Sequence, residues 1–549
     1  MDRFTVKLNN VSLCLLVTVL LLSVSLRFYH VLRSPVISHD EAITYLAVAG
    51  HEGDYAEMEK EKKIPYGQWV QSEVWKDYLE PKDKFIFLKI KDDLTHYDVH
   101  PPIYFWLLHC WVLLVGVHSW SGPSMNILLS IINVIILFHI AMRLLNTSNE
   151  VLLVVVAYLL SPGVWSSTFI ARNYELFTLL TLLLFLCVIN YLKAGSDKNI
   201  AFCLIMSLII YVGTMTHYYF ALMVIAVALL PLVAALFTHE LTFREGVQKT
   251  ICIVSATALS AALFLVTNPG FIQQVSSFES QGQGFTLVYF ILRCLKTFLV
   301  FPGFFVEVKR SSIPLYSMII FILFLILLVT KLFLGKSDVP AKSKKRKVFL
   351  FSFASLEGLF YPCMFFLAAS AMMVSLYISF FTHQAVMGPR YFSPLYPFFA
   401  FIPVLICRFF SLKIYNRDIF IYTTLFFFSA LLFTQPWKTY HSDSTNNLLY
   451  ESNRIIIDNS KRGILLKNIM HIPDGKMVYC AMQDDLLAHK GLLNNLTKND
   501  LYFSHLMYGN TEEKRNEILE KLQKKHGVSV PDGGKWGIWG SGKLYLIGK

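Results

Sequence analysis

The sequence predicts an α-helical polytopic membrane protein with a large first external loop and a small C-terminal extramembrane domain of helices and strands. Of its 549 residues, 55% are hydrophobic and 15% aromatic, and only 16% are charged. A soluble core cannot bury that much apolar surface. Apolar runs of about 17 to 22 residues, the length that crosses about 30 Å of hydrocarbon, recur from Val11 to about Thr434. The chain is therefore predicted to lie in a bilayer.

Eleven apolar segments are predicted to cross the membrane, and two further runs are less regular. Residues 102–117 are short and open with a double proline, while residues 285–305 contain Arg293 and Lys296. Counting them or not gives about 11–13 transmembrane helices. The eleven segments are residues 9–29, 124–144, 150–168, 174–193, 200–216, 218–237, 250–267, 314–333, 360–381, 391–409 and 418–434.

The loops between these segments predict the topology, because short cytoplasmic loops are enriched in lysine and arginine. If neither irregular run spans the bilayer, the basic loops share the cytoplasmic side. These loops contain Arg143, Lys193, Lys198, Arg244, Lys249 and the cluster at 342–347. The first loop, residues 30–101, then lies on the non-cytoplasmic side together with the C-terminal region.

After residue 434 the composition changes. Residues 435–549 contain an amphipathic helical pattern, TEEKRNEILEKLQKKH, and two strand-like segments, KMVYCAM and KLYLIG. This predicts a transmembrane domain at 1–434 and an extracytoplasmic α/β domain at 435–549. The net charge of +12 is spread over loops and tail without an aromatic-interleaved basic patch, so no nucleic-acid partner is predicted. The cysteines form no metal-binding pattern.

The first external loop begins with an acidic pair in the segment HDEAITYLAVAG. Asp40 and Glu41 lie a few residues beyond the first helix, at the depth of the membrane interface. Adjacent carboxylates there can supply a general base and a neighbour that orients an acceptor. The alternative is that they form an acidic cap of a helix.

The same loop ends in HYDVHPPIYFW, with Asp98 and His100 before the double proline. His100 is a candidate donor to a phosphate, and the two side chains together are candidate ligands of a divalent metal. Two ligands do not define a metal site, so the metal requirement stays open. The alternative is that the double proline only marks the start of a helix, where proline is common, and that these residues bind nothing.

Arg172, in the segment FIARNYELF, lies between two apolar runs. An arginine at that depth is costly unless it is paired, which favours phosphate binding or an ion pair with Glu175. His217, Tyr218 and Arg390 lie at other external helix ends, where an interfacial anchoring role is the alternative. The predicted topology places all these candidates on one face, as transfer from a phosphate-linked donor requires.

These segments resemble the GT-C glycosyltransferases of the protein-mannosyltransferase-like branch, which includes the lipid A aminoarabinose transferases. The resemblance covers about residues 11 to 410 and follows the order of five segments. They are HDEAITYLAVA, DVHPPIYFWLLHCWVLLVG, SPGVWSSTFIARNYELF, THYYF and PRYFSPLYP. The segment ARNYEL departs from the glycine-arginine form of the true protein mannosyltransferases, so the acceptor class (glycan, lipid or protein) stays open.

The resemblance implies a role for each candidate. Asp40 is similar to the catalytic base of the family, and Glu41 would orient the acceptor. A polyprenyl- or dolichyl-phosphate sugar would be the donor, and a single in-line displacement would invert the anomeric centre. The phosphate would be bound by Arg172, with His100 and Arg390 assisting. Apart from the resemblance, Asp98, His217, Tyr218 and Tyr174 are candidate substrate or metal contacts.

Three other functions are considered. Two are enzymes, an oligosaccharide polymerase or ligase and a lipid A-type aminosugar transferase. The third is a transporter or flippase, which usually places polar residues at the bilayer midplane and contains repeated halves. This chain instead has its polar residues at one face of the membrane, and its sequence shows no repeat. A bacterial inner membrane is favoured for its location, with the endoplasmic reticulum as the alternative.

Overall fold

The computed structural model of the chain describes most of its N-terminal half and much of its C-terminal region. The described residues are 10–33, 37–98, 100–145, 147–193, 199–237, 241–271, 304, 370, 389–404, 448–458, 462–489, 492–493, 495–506, 510–529, 535–536 and 542–548. The predicted segments 314–333 and 418–434, the run 285–305 and the segment 360–381 lie outside them, apart from Phe304 and Ser370.

The helices of the N-terminal half follow one another closely. Their bounds are α1 Asn10–Arg33, α2 His39–Val48, α3 Glu52–Lys60, α4 Ser72–Lys76, α5 Phe87–Tyr97, α6 Ile103–Val115, α7 Ser121–Leu144, α8 Ser148–Leu159, α9 Pro162–Thr168, α10 Tyr174–Lys193, α11 Asn199–Thr214, α12 Phe220–Ala228, α13 Leu230–Phe237 and α14 Phe243–Thr267. A 3₁₀ helix at Pro389–Leu395 leads into the short α15, Tyr396–Phe399.

Within the described residues, four helices are long and apolar enough to cross a membrane. They are Leu13–Arg33, Ser121–Leu144, Tyr174–Leu192 and Phe243–Thr267, and the α8–α9 pair makes a fifth if it is one bent span. The prediction of an α-helical polytopic membrane protein is thereby confirmed. The irregular run at 102–117 forms α6, whose 13 residues are fewer than a straight span needs.

Several predicted spans differ in detail from the helices found. The segment 150–168 bends by 50° between α8 and α9, where Pro162 cannot donate to the preceding turn. The segment 218–237 is divided into α12 and α13. The segment 250–267 begins earlier, at Phe243, because Thr242 and Glu245 form a capping box that starts α14 inside the basic loop.

The described part of the C-terminal region contains a mixed sheet and several helices. Its elements are β2 Arg454–Ile457, α16 Arg462–Ile469, β3 Met477–Cys480, α17 Gln483–Ala488, β4 Leu501–His505, α18 Glu512–His526, β5 Val528–Ser529, β6 Lys535–Trp536 and β7 Gly542–Ile547. The predicted helix and both predicted strands are confirmed as α18, β3 and β7. A seventh strand, β1 at Trp69–Gln71, comes from the predicted first loop at residues 30–101.

The order of the sheet is β1-β3-β2-β4-β7-β5, and β6 also pairs with β7. Strands β3, β2 and β4 are parallel, so Ile456 lies beside Tyr479 and Tyr502 in register. The outer strands are antiparallel. Ile518 and Leu522 of α18 belong to the buried core cluster on this sheet.

The contacts divide the chain into two compact units, each described by itself below. The helical unit contains Met1–Arg27, Ile127–Thr168 and Asn173–Pro436. The sheet unit contains Phe28–Asn126, Phe169–Arg172 and Trp437–Lys549. The short segment Phe169–Arg172 therefore belongs to the same unit as most of residues 30–101 and the tail.

Candidate active site

The acidic pair lies in the first turn of α2, which begins directly after Ser38. Ser38 Oγ accepts a hydrogen bond of 3.2 Å from the backbone nitrogen of Glu41. In return, the Ser38 backbone nitrogen donates to Glu41 Oε2 over 2.6 Å, which completes a capping box. The helix-cap alternative thus applies to Glu41. The Asp40 side chain is 31% exposed and accessible to a substrate.

The second carboxylate oxygen of Glu41 binds a distant part of the same unit. The backbone nitrogen of Ala171 donates to Glu41 Oε1 over 2.8 Å, and the residue is only 2% exposed. Burial raises the pKa of Glu41 to about 7, although the two amide donors oppose that rise. Both oxygens therefore have backbone partners, and Glu41 connects the start of α2 to the segment that contains Arg172.

Arg172 is 7% exposed and lies against the same turn of α2. Its Nη1 donates to Thr44 Oγ1 over 3.1 Å and to the backbone oxygen of Asp40 over 3.4 Å. Its Nη2 lies 2.6 Å from His100 Nε2. The predicted base, the predicted phosphate ligand and the predicted histidine are thus brought together within one unit.

The hydrogen bonds of His100 indicate its tautomer. Arginine has only donors, so His100 Nε2 accepts from Arg172 and the proton lies on Nδ1. Nδ1 then donates to Asp98 Oδ1 over 2.7 Å. In this arrangement His100 holds Arg172 in place and is itself oriented by Asp98.

Asp98 and His100 are also the candidate metal ligands of the site. In this arrangement both ring nitrogens of His100 have hydrogen-bond partners, which are Asp98 and Arg172. Within the part of the chain that the structure describes, no three His, Cys, Asp or Glu residues gather into a metal site. The metal requirement stays open, and the chemistry below is written for the side chains.

Two residues that the sequence analysis did not select fix the backbone beside Arg172. Asn126 is completely buried, and its Nδ2 donates to the backbone oxygen of Ile170 over 2.6 Å. Gly122, one turn earlier in α7, has no room for a side chain because a Cβ there would lie 2.2 Å from Ala171 Cβ. The sequence signal for this role is that Gly122 and Asn126 are four residues apart, and so on one face, in an otherwise apolar helix.

The other predicted residues belong to the helical unit, where His217 and Tyr174 lie in an aromatic cluster. The ring of His217 lies 6.2 Å from that of Tyr174 and stacks on Phe177 at 4.8 Å. The hydroxyl of Tyr218 accepts a bond of 3.3 Å from Asn268. Arg390 lies in the 3₁₀ helix Pro389–Leu395, and its side chain is outside the described part.

Glu175, the alternative partner of Arg172, is buried within the helical unit. Its Oε1 accepts hydrogen bonds from Ser167 over 2.7 Å and from Thr168 over 3.2 Å. Its Oε2 accepts from Asn133 Nδ2 over 3.0 Å. Three neutral donors of the same unit thus satisfy this carboxylate.

Solved structures of similar length were compared with the chain. ArnT from Cupriavidus metallidurans, in a crystal structure bound to undecaprenyl phosphate, is 12% identical with a TM-score of 0.44. Its apo crystal structure is 10% identical with the same TM-score, and in both cases 97% of each chain is covered. Similarity at this level establishes nothing about function.

Protein families were compared as well. A search of curated proteins finds no match. Residues 99–267 match the family model of the dolichyl-phosphate-mannose-protein mannosyltransferases, and this range includes both His100 and Arg172. The motif resemblance and the family match agree on the same group of enzymes. The resemblance of this chain to the GT-C glycosyltransferases of the mannosyltransferase-like branch is therefore confirmed, with residues 99–267 as the matched region.

Proposed function

We propose that the protein is a membrane glycosyltransferase that moves a sugar from a polyprenyl- or dolichyl-phosphate carrier to a hydroxyl acceptor on the non-cytoplasmic side. One observation carries the proposal. The Arg172 guanidinium lies against the turn of α2 that contains Asp40, at 3.4 Å from the Asp40 backbone oxygen. The proposed phosphate ligand thus contacts the turn of helix from which the proposed base projects, and the family matched here is named for a dolichyl-phosphate sugar donor.

The transfer requires one bond to form and one to break. Asp40 accepts the proton of the acceptor hydroxyl while the oxygen of that hydroxyl forms a bond to the anomeric carbon. The bond from that carbon to the phosphate oxygen breaks, and its electron pair leaves with the lipid phosphate. A single in-line displacement of this kind inverts the anomeric configuration.

Arg172 stabilises the charge that develops on the leaving phosphate. Its planar guanidinium can donate to two phosphate oxygens at once, and burial strengthens that interaction. Donor binding would replace His100 as the acceptor of Nη2. His100 Nε2 would then be free to receive a proton and donate to the phosphate as well, while Asp98 keeps the ring oriented.

Glu41 has a positioning role in this proposal. The sequence resemblance assigns it to the acceptor, but both of its oxygens accept from backbone amides, of Ser38 and Ala171. It connects the helix start that contains Asp40 to the backbone that contains Arg172. Such a connection keeps the base and the phosphate site at a fixed separation.

The proposed partners are the lipid-phosphate sugar, the surrounding membrane lipids and an acceptor that is a glycan, a lipid or a protein. The distribution of basic loops supports a non-cytoplasmic site. A bacterial inner membrane is proposed ahead of the endoplasmic reticulum. The division into domains at residue 434 stays a prediction.

The test is an assay of donor cleavage by the purified full-length protein in detergent. Dolichyl-phosphate mannose and undecaprenyl-phosphate sugars are supplied with a mixture of acceptors, and released lipid phosphate is measured by mass spectrometry. Asp40→Asn keeps the shape but removes the base, so the rate should fall by about 10²- to 10⁴-fold. The absence of lipid-phosphate release from every donor would contradict an enzyme of this class and favour a transporter.

The control is Asp54→Asn, a change in the same loop. The Asp54 carboxylate is half exposed and binds Lys89 over 2.6 Å. A surface ion pair of this kind contributes at most about 1 kcal/mol, so this variant should keep wild-type activity. Equal losses in the two variants would show that the loop is structural and that Asp40 has no special role.

A further inference from the structure

The sheet unit contains a cavity that has no role in the mechanism above. Its volume is about 500 Å³, within the range of about 300 to 1,000 Å³ that small-molecule sites occupy. Its walls come from the end of α4 and the turn after it, from the turn between α6 and α7, and from residues before β2 and after α16. All of these segments belong to the same unit. The side chains of Asp40, His100 and Arg172 do not line it, so the cavity is distinct from the site described above.

Aromatic side chains form part of the wall. His118 and Trp120, in the turn between α6 and α7, stack with ring centroids 4.9 Å apart and planes 19° from parallel. Tyr450 also lines the cavity, and 70% of its surface is exposed. The face of an aromatic ring carries partial negative charge and attracts polarised C–H groups. A pyranose ring presents a face of such C–H groups, so this wall suits a sugar ring.

The charged side chains of the cavity determine which ligands it can hold. Lys76 Nζ donates to Asp474 Oδ1 over 2.5 Å, and the lysine side chain is 23% exposed. Glu80 is a second carboxylate of the wall, so one lysine stands against two carboxylates and the formal charge is −1 with neutral histidines. This charge repels a phosphate, which argues against the carrier phosphate as the occupant. A neutral ligand whose hydroxyl groups both donate and accept hydrogen bonds matches these side chains.

His471 connects the cavity to the helix that contains the proposed base. This residue lines the cavity, and its Nε2 accepts a hydrogen bond of 3.4 Å from the backbone nitrogen of Ile37. Ile37 lies three residues before Asp40, and three residues span at most about 11 Å. In addition, α16, which ends just before His471, packs on both α2 and α4. The cavity therefore adjoins the segment from which Asp40 projects.

Resting on the proposed function, we propose that this cavity binds a neutral sugar unit of the acceptor, so that the acceptor is a glycan or a glycolipid. Trp120 and Tyr450 provide the surfaces on which the sugar ring stacks. Glu80 accepts hydrogen bonds from its hydroxyl groups, and the pair of Lys76 and Asp474 supplies a further donor and acceptor. The hydroxyl that reacts belongs to a neighbouring part of the acceptor, which extends from the cavity to Asp40.

A binding experiment tests the cavity without any turnover. The full-length protein is placed in lipid nanodiscs, because detergents with sugar headgroups would compete. It is titrated with methyl α-mannoside, methyl β-glucoside, maltose and cellobiose, and binding is followed by saturation-transfer NMR. At least one saccharide should bind, and Tyr450→Ala and Trp120→Ala should each weaken its binding by about tenfold, because a stacking surface is lost. Inorganic phosphate should not displace the bound saccharide.

The matched control is Phe85→Ala, which removes an aromatic side chain of the same unit that is 65% exposed and does not line the cavity. Saccharide binding to this variant should equal that of the wild type. Because Tyr450 is mostly exposed, Tyr450→Ala leaves no void in the core and provides the test even if Trp120→Ala does not fold. Absence of saccharide binding to the wild type, equal binding in all variants, or displacement by phosphate would each overturn the proposed sugar site.

A kinetic experiment identifies the bound saccharide as the acceptor. Initial rates are compared for an alkyl glycoside of that saccharide and for an alkyl alcohol of the same chain length. Tyr450→Ala should raise KM for the glycoside by about tenfold, while kcat and the KM values of the donor and the alcohol stay unchanged. An equal change in KM for the two acceptors would contradict the acceptor role. If no donor is cleaved, the proposed function fails, while the saccharide titration still tests the cavity.

Discussion

The carboxylate of Glu41 accepts the backbone N–H of Ala171 over 2.8 Å, although 130 residues separate them in the chain. Its other oxygen caps the helix that contains Asp40. One buried side chain therefore holds together the two backbone segments from which the proposed base and the proposed phosphate ligand project. This relationship gives Glu41 a measurable role of its own.

Replacement of Glu41 by glutamine should disturb Arg172 more than Asp40. The amide of glutamine can accept only one of the two backbone N–H groups, and its NH₂ would face the other. An unsatisfied buried donor costs about 1 to 3 kcal/mol. We expect a lower melting temperature and a raised KM for the donor, with a smaller change in KM for the acceptor.

The control for this change is Glu61→Gln, in the same loop. Glu61 is more than half exposed and forms a surface pair with Lys63. Its loss should leave both the stability and the donor KM unchanged. If Glu41→Gln instead raised the acceptor KM alone, the role implied by the sequence resemblance would be correct and the positioning role wrong.

The raised pKa of Glu41 predicts how stability depends on pH. The pKa of Glu41 is about 7 in the folded chain and 4.5 ordinarily. Between pH 4.5 and 7 this carboxyl group therefore binds more protons in the folded chain than in the unfolded chain. The contribution of Glu41 to stability is therefore fully present below about pH 4.5 and is lost as the pH rises through 7. The change is on the order of 3 kcal/mol at about 1.36 kcal/mol per pH unit.

The measurement compares thermal unfolding of the wild type and Glu41→Gln across pH 4.5 to 8. Glutamine does not titrate, so the difference between the two melting curves isolates this carboxyl group. The wild type should lose stability relative to the variant as the pH increases. A difference that stayed constant with pH would show that Glu41 keeps an ordinary pKa in the folded protein.

The amount of structure that the sequence predicted depends on the range of the interactions involved. The helix at Asn10–Arg33 and the amphipathic helix at Glu512–His526 follow from local composition and periodicity, and both were predicted. The strand Trp69–Gln71 was not, because its partner Met477–Cys480 lies about 400 residues away and only pairing makes so short a segment a strand.

The same distinction applies to the site. The candidates Asp40, Arg172 and His100 were selected because charged groups near a bilayer are rare, and the structure brings them together. Asn126 was missed because a single amide in an apolar helix has many explanations until its partner is known. Its hydrogen bond to Ile170 is a long-range contact that no periodicity encodes.

The predicted topology can be tested with two introduced cysteines in a cysteine-free protein. Ser442→Cys lies in the C-terminal region and Ser343→Cys in the basic cluster, both outside the described residues. In intact cells an impermeant thiol reagent should label the first, while the second should react only after the membrane is opened. Labelling of both from the same side would contradict the assignment of the basic loops.

Arg172 provides the most direct test of how the carrier phosphate is bound. Lysine keeps the charge but lacks the planar fork that donates to two phosphate oxygens at once, so Arg172→Lys should reduce both donor affinity and turnover. Arg172→Ala should reduce donor affinity by at least about a hundredfold, since a charge-assisted bidentate contact is worth about 3 kcal/mol. Binding of the lipid-phosphate sugar to purified, monodisperse variants is the measurement.

The matched control is Glu175→Gln, which changes a buried charge of the helical unit but not the proposed ligand. This control should lower thermal stability while the folded molecules bind donor normally. Wild-type donor affinity in Arg172→Ala would rule out the phosphate role.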